Sequence, residues 1–220
     1  MTIKERYQEA ISYFTVKYPV AETELKYMTP FELTVAVILS AQCTDKRVNM
    51  ITPALLAKFP DAESMAKAEP EEIFEYIKSC SYPNNKAKHL SGMSRMLVSD
   101  FEGKVPEEPE ILQKLPGVGR KTANVVASVL FNKPVMAVDT HVFRVSNRLG
   151  LVSNAKTTLA VELQLTSNLP VELMHEAHHW LILHGRYICK AKNPLCDQCG
   201  LSAICKFYAK SRRNDKGVSF

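Results

Sequence analysis

Apolar and polar positions alternate along most of this chain at helical rather than strand spacing, which predicts a run of helices. The segment Leu33-Thr34-Val35-Ala36-Val37-Ile38-Leu39-Ser40, which Glu22 to Tyr27 lead into, is apolar almost all round, so its helix should be buried. Its start is written in Thr29-Pro30-Phe31-Glu32: an N-cap, a proline at the first helical position and an acid placed for a capping box. Further helices are expected at about 45–58, 61–67, 70–78, 84–100, 109–114 and 120–131, then at roughly 140–149, 156–166 and 171–184, the last ending at Gly185. Phe59-Pro60, Glu69-Pro70, Tyr82-Pro83 and Val105-Pro106 mark helix ends. Val135-Met136-Ala137-Val138 is the one β-like run, too short to seed a sheet, so the fold class is all-α. There are no internal repeats, and only the last eight or so residues read as disordered.

A length of 220 residues allows one large or two small compact units, and 46% hydrophobic with 23% charged residues describes an ordinary globular protein. No apolar run approaches a membrane span, which excludes a helical membrane protein. Net charge is only +5, but its placement is uneven. Between Arg186 and Lys216 stand eight basic residues (Arg186, Lys190, Lys192, Lys206, Lys210, Arg212, Arg213, Lys216) against Asp197 and Asp215. A basic face of this kind fits a polyanion such as DNA.

That basic stretch surrounds four cysteines, Cys189, Cys196, Cys199 and Cys205. The N-terminus, Met1-Thr2-Ile3-Lys4-Glu5-Arg6-Tyr7, is charged and has no apolar leader core, so the chain is expected to stay in a reducing compartment and not be secreted. Disulfides are then not expected, and a metal centre is. Four thiolates can hold zinc or an iron-sulfur cluster; only Cys196 and Cys199 form a close pair, whereas zinc ribbons usually present two, so the spacing leans towards iron and sulfur. Cys43 and Cys80 read as buried small hydrophobes.

The second chemical signal is Leu115-Pro116-Gly117-Val118-Gly119-Arg120-Lys121, a tight turn between two helices spanning 109–131. Gly117 and Gly119 should let the backbone approach a ligand and adopt positive φ, while the N–H groups opening the second helix face outward with a favourable dipole. Such a turn grips a DNA phosphate without reading sequence. Lys121 is out of place there: a cation in the first turn opposes the helix dipole and sits beside Arg120, which favours the neutral, nucleophilic amine. Its other reading is a simple phosphate contact. Asp139 precedes a helix with the apolar stripe Val142, Val145 and Leu149. It should cap that helix, and a carboxylate fixed by capping can also face a developing cation or accept a proton from the lysine.

Leu115 to Thr122, Val138 to Arg144, the run His178-His179-Trp180-Leu181-Ile182-Leu183-His184-Gly185-Arg186 and the four-cysteine loop together resemble the endonuclease III family of helix-hairpin-helix DNA glycosylases. The likeness runs in order from about Phe31 to Cys205. It implies a two-lobed fold, with a six-helix barrel lobe over 23–133 and a discontinuous lobe, 1–22 and 134–220, holding a 4Fe-4S cluster in the loop 189–205. It implies a monomer acting on double-stranded DNA that carries a damaged base or an abasic site, in the cytoplasm and at the nucleoid if the source is bacterial. By the same resemblance Lys121 attacks C1′ of an extruded nucleotide, with Asp139 opposite it; an oxidised pyrimidine is expelled, and the resulting Schiff base nicks the strand 3′ to the lesion by β-elimination.

The resemblance also assigns Gln42 to the gap left by the extruded nucleotide, Asp45 and His141 to the substrate pocket, and Gly117, Val118, Gly119, Arg120, Lys190, Lys192 and Lys206 to the DNA backbone. Asp45 reads equally well as a helix N-cap. Where the family has Gly-Leu-Tyr-Asn, with a leucine wedge, this chain has Ser81-Tyr82-Pro83-Asn84, which places Tyr82 at the wedge. Two alternatives stand beside this reading: an adenine-mismatch glycosylase, which typically lacks the lysine at the position of Lys121, and a non-catalytic DNA-binding module with structural zinc. His175-Glu176-Ala177-His178-His179 matches H-E-x-x-H, but no third zinc ligand is evident, so it reads as accidental.

Overall fold

The computed structural model describes residues 1–215, with side chains as far as Arg212. Among the described residues there are twelve α-helices and no strand: α1 (Ile3–Lys17), α2 (Pro30–Ser40), α3 (Asp45–Lys58), α4 (Ala62–Ala66), α5 (Pro70–Ile77), α6 (Pro83–Phe101), α7 (Pro109–Leu112), α8 (Arg120–Phe131), α9 (Thr140–Leu149), α10 (Thr158–Thr166), α11 (Met174–Tyr187) and α12 (Lys206–Asp215). They fall into two compact units, Thr23–Lys133 and, together, Met1–Glu22 with the chain from Pro134 onward.

In the unit Thr23–Lys133, α2 is the central rod. Phe31 and every residue from Leu33 to Leu39 are buried, and α3, α6 and α8 pack around it. A helix buried on all sides needs its ends satisfied from outside. Thr29 accepts from the Glu32 amide at 3.2 Å, while the Glu32 carboxylate reaches one residue beyond the expected capping box, to the Met28 amide at 2.6 Å. At the other end the ammonium of Lys86, itself only 5% exposed, donates to the carbonyls of Leu39 at 2.8 Å and Ala41 at 2.7 Å. Short α4 and α5 lie against α6, whose start carries Tyr82 in the left-handed region at φ 54°.

In the other unit α9 packs against α10, α11 and α12, and its stripe Val142, Val145 and Leu149 is almost fully buried. Capped by Thr2 and Glu5, α1 closes this core by stacking Phe14 on Trp180 and by the buried Arg6, which donates to the Leu149 carbonyl at 2.9 Å. The indole of Trp180 donates to the Tyr18 carbonyl at 3.1 Å.

Two expectations differ. Gly185 does not end its helix: α11 continues to Tyr187, and the glycine marks the crossing with α9. A Cβ there would lie 2.9 Å from His141 Cβ and 3.2 Å from Val145 Cγ2, so only glycine lets the two helices approach. The 135–138 run, too short to seed a sheet, forms no strand and buries Met136, Ala137 and Val138. Arg213 to Asp215, expected in a disordered tail, continue α12; residues 216–220, with Lys216, lie outside the described residues.

Gly185→Ala should therefore destabilise the protein by about 1–3 kcal/mol, the usual cost of overpacking, in urea unfolding. An unchanged midpoint would show that α9 and α11 have slack at their crossing.

Candidate active site and metal centre

The turn before α8 is built by local hydrogen bonds and then docked. Lys114 donates to Ile111, Leu115 to Leu112 and Val118 to Leu115, so the chain coils through successive tight turns out of α7. Leu115 and Val118 are buried and anchor it. Gly117 has φ +81°, and a Cβ there would lie 2.7 Å from His89 Cβ, so both backbone sign and contact with α6 require glycine. Beside it, Pro116 packs over Gly92. At the far end Lys133 pairs with Glu108 at 2.7 Å and Glu107 at 3.3 Å, tying the end of α8 to the start of α7.

Gly119 departs from expectation. Its φ is −84°, it serves as the N-cap of α8, and a Cβ there would meet nothing within 4 Å. Glycine at 119 keeps the surface open rather than permitting a conformation. Val118 is likewise not a side-chain contact for DNA, because its side chain is buried and its amide is donated to Leu115. What projects is Gly119, Arg120 and Lys121, all exposed at the N-terminal end of α8.

Asp139 caps α9 as expected, with one oxygen accepting from the amides of His141 and Val142, both at 2.8 Å. The other oxygen meets His141 Nδ1 at 3.1 Å. An ionised carboxylate only accepts, so that ring nitrogen carries the hydrogen. Burial by itself would raise the Asp139 carboxyl, but the His141 ring, the Val142 amide and neighbouring His178 outweigh it and hold the group well below the usual carboxylate range. Asp139 is thus a fixed negative charge. Such a group stabilises a cation opposite it and is a poor proton acceptor, which separates the two roles that its position alone left open.

Asp45 is not an N-cap. Thr44 caps α3, accepting from the Arg47 amide at 3.2 Å, and Asp45 takes the first helical position, partly exposed. Gln42 and Tyr82 are exposed, with left-handed backbones at φ 55° and 54°. They belong to neighbouring loops: the Ser81 hydroxyl donates to the Gln42 carbonyl at 2.6 Å. Left-handed geometry costs a non-glycine residue about 1 kcal/mol or more, a strain typical of functional loops. Sequence reading had no signal for it.

The four cysteines of the basic stretch line one pocket, with Leu149, Ile188, Pro194 and Leu195 among its apolar walls. Among the described residues no group of three or more His, Cys, Asp or Glu is placed to hold a single metal ion. Four thiols that share one pocket without converging on a single point fit a polynuclear iron-sulfur cluster better than one tetrahedral zinc. Burial, then mutual repulsion, pushes the Cys196 and Cys199 thiols up, and burial does the same to Cys205. For these three to stand as thiolates, the positive charge of a metal centre must offset that cost.

The cysteine loop hangs on α9. Arg144 donates to the carbonyls of Cys189 at 3.0 Å and Gly185 at 2.9 Å; Arg148 donates to those of Lys190 at 2.7 Å and Ala191 at 3.0 Å and approaches the Cys189 sulfur at 3.6 Å. The Arg148 guanidinium also stacks on Phe207 at 4.4 Å. Sequence reading assigned no role to Arg148, since nothing local distinguishes a loop-holding arginine from a surface one. Lys190, Lys192 and Lys206 are exposed around this loop, and the stem of Lys206 lies over Gly150, the left-handed C-cap of α9.

Known proteins share this arrangement. Residues 35–170 match the HhH-GPD superfamily of base excision DNA repair proteins, and residues 189–205 match the iron-sulfur binding domain of endonuclease III. The chain is 48% identical to endonuclease III of Rickettsia conorii over 89% of its length and 92% of the relative's, and 47% identical to that of Bacillus subtilis over 91% of each. A solved structure of a trapped endonuclease III–DNA covalent intermediate superposes with a TM-score of 0.92 at 41% identity, covering 97% of this chain and all of that one. Since the likeness extends through the Gly117 turn, α9 and the cysteine loop at nearly half identity, the chain belongs to the endonuclease III family.

Proposed function

We propose that this chain is a base excision repair DNA glycosylase and abasic-site lyase whose nucleophile is Lys121. The observation that carries the assignment is the exposure of Lys121 at the start of α8, directly after a turn that only glycine at 117 can make. Double-stranded DNA with a damaged base or abasic site is the substrate, and oxidised pyrimidines are the class of base removed. The family membership and the lysine both favour this reading over an adenine-mismatch enzyme or a non-catalytic module. Its site of action is the cytoplasm, at the nucleoid; among the described residues no helix is long and apolar enough to cross a membrane.

In this reading the first-turn amides of α8 and Arg120 hold a phosphate, which brings the sugar to the lysine. The Lys121 amine attacks C1′, the bond from C1′ to the base breaks, and the fixed negative charge of Asp139 opposes the positive charge that develops at C1′. The resulting Schiff base acidifies the adjacent C2′ proton, whose loss expels the 3′ phosphate and nicks the strand. Gln42 and Tyr82 fill the gap left in the duplex, and Lys190, Lys192 and Lys206 meet phosphates. Cys189, Cys196, Cys199 and Cys205 hold a 4Fe-4S cluster, which when bound supplies a rigid cross-link that keeps this loop in shape.

Lys121→Gln should abolish borohydride trapping on abasic DNA while retaining lesion binding; a trapped adduct in that variant would move the nucleophile elsewhere. Asp139→Asn keeps an oxygen to cap α9, so folding should hold while excision falls at least about a hundredfold. Because the Asp139 value is depressed, its stabilising effect is complete above the unfolded value near 3.8 and lost only as pH falls through the lower folded value. Excision should therefore show no transition in the neutral range that disappears in Asp139→Asn; such a transition would make Asp139 a proton acceptor after all.

Protein purified anaerobically should contain about four iron atoms per chain. Stoichiometric zinc with negligible iron would refute the cluster assignment.

A further inference from the structure

Cys43 and Cys80, far apart in sequence and outside the four-cysteine loop, meet in the unit Thr23–Lys133. The Cys43 thiol donates to the Cys80 sulfur at 3.7 Å. Cys43 is partly exposed and Cys80 is buried at 6% exposure, so one cysteine of the pair lies near the surface and the other behind it. Each belongs to one of the two strained loops: Cys43 directly follows left-handed Gln42, and Cys80 lies two residues before left-handed Tyr82. The Ser81–Gln42 hydrogen bond and the Lys86 ammonium at the end of α2 already hold these loops together. Lys86 and Arg47 place positive charge near the Cys80 sulfur, opposing the burial that pushes its thiol up to about 11. A partly exposed thiol with cationic neighbours and a second thiol in reach has the features of an oxidisable pair.

We propose that Cys43 and Cys80 are a dithiol that a hydroperoxide oxidises reversibly to a disulfide, and that this modification disengages Gln42 and Tyr82 from duplex DNA. The Cys43 thiolate attacks the peroxide, taking one oxygen to become a sulfenic acid and releasing water after protonation. The Cys80 sulfur then displaces that hydroxyl as a second water, so two thiols and one hydrogen peroxide give one disulfide and two waters. Closing the bond draws the sulfurs from 3.7 Å to about 2.0 Å. That movement falls on backbones already held at positive φ, and so displaces the two exposed side chains. In a reducing compartment such a bond is transient, as a sensing disulfide must be. The effect on DNA rests on the gap-filling reading of Gln42 and Tyr82; the thiol chemistry does not.

The test treats the reduced holoprotein with stoichiometric hydrogen peroxide, alkylates the remaining thiols and maps the peptides. A Cys43–Cys80 linked peptide, two hydrogens lighter and released by dithiothreitol, is expected, and Cys80→Ser should instead leave a sulfenic acid on Cys43 that dimedone traps. Recovery of both residues as alkylated thiols would overturn the dithiol. In parallel, binding of the oxidised protein to a duplex with an abasic-site analogue should be lost and regained with dithiothreitol, while cleavage of single-stranded abasic DNA, which has no gap to fill, is unchanged. A linked protein that binds the duplex normally would overturn the control of DNA binding and the gap-filling reading with it.

Discussion

Helix α9 imposes one register on chemistry at both of its ends. Its buried stripe Val142, Val145 and Leu149 fixes its rotation, and Gly185 lets α11 approach closely enough to fix its depth. With both set, the N-terminus presents Asp139 in a single orientation, while Arg144 and Arg148 reach sideways to hold the carbonyls of the cysteine loop. A shift of α9 would therefore disturb the carboxylate and the metal loop together. Removing either arginine would take away two of the hydrogen bonds that hold these carbonyls.

Two helix N-termini carry the proposed chemistry with opposite electrostatics. At α9 the carboxylate sits where the helix dipole and two amides welcome it, and its charge becomes permanent. At α8 the exposed Lys121 stands in the first turn beside exposed Arg120. The turn at Gly117, pressed on His89 of α6 and anchored by buried Leu115 and Val118, holds that end of α8 in place.

The loops at Gln42 and Tyr82 follow a different logic. Both side chains are exposed on left-handed backbones, and the strain is offset from below by the Ser81 hydroxyl and by a lysine buried against the end of α2. Lys86 is buried with its ammonium donating to two backbone carbonyls, so an ordinary-looking polar residue in α6 becomes the support for a loop in another part of the unit.

The local signals in the sequence were sound where the physics is local. Thr29 and Pro30 begin α2, Asp139 caps α9, and the unbroken apolar run of α2 is buried, because capping and periodicity act within a few residues. Sequence alone misjudged Gly185, read as a stop but used as a helix crossing, and Gly119, read as a left-handed hinge but used as an open surface, because a glycine is silent about what approaches it. Thr44 rather than Asp45 took the cap of α3, a choice between adjacent residues that depends on where the preceding loop delivers the chain. The pairing of Cys43 with Cys80, the burial of Lys86 and the grip of Arg148 on the cysteine loop were decided by tertiary structure alone, since each joins residues dozens of positions apart and only packing brings them into reach.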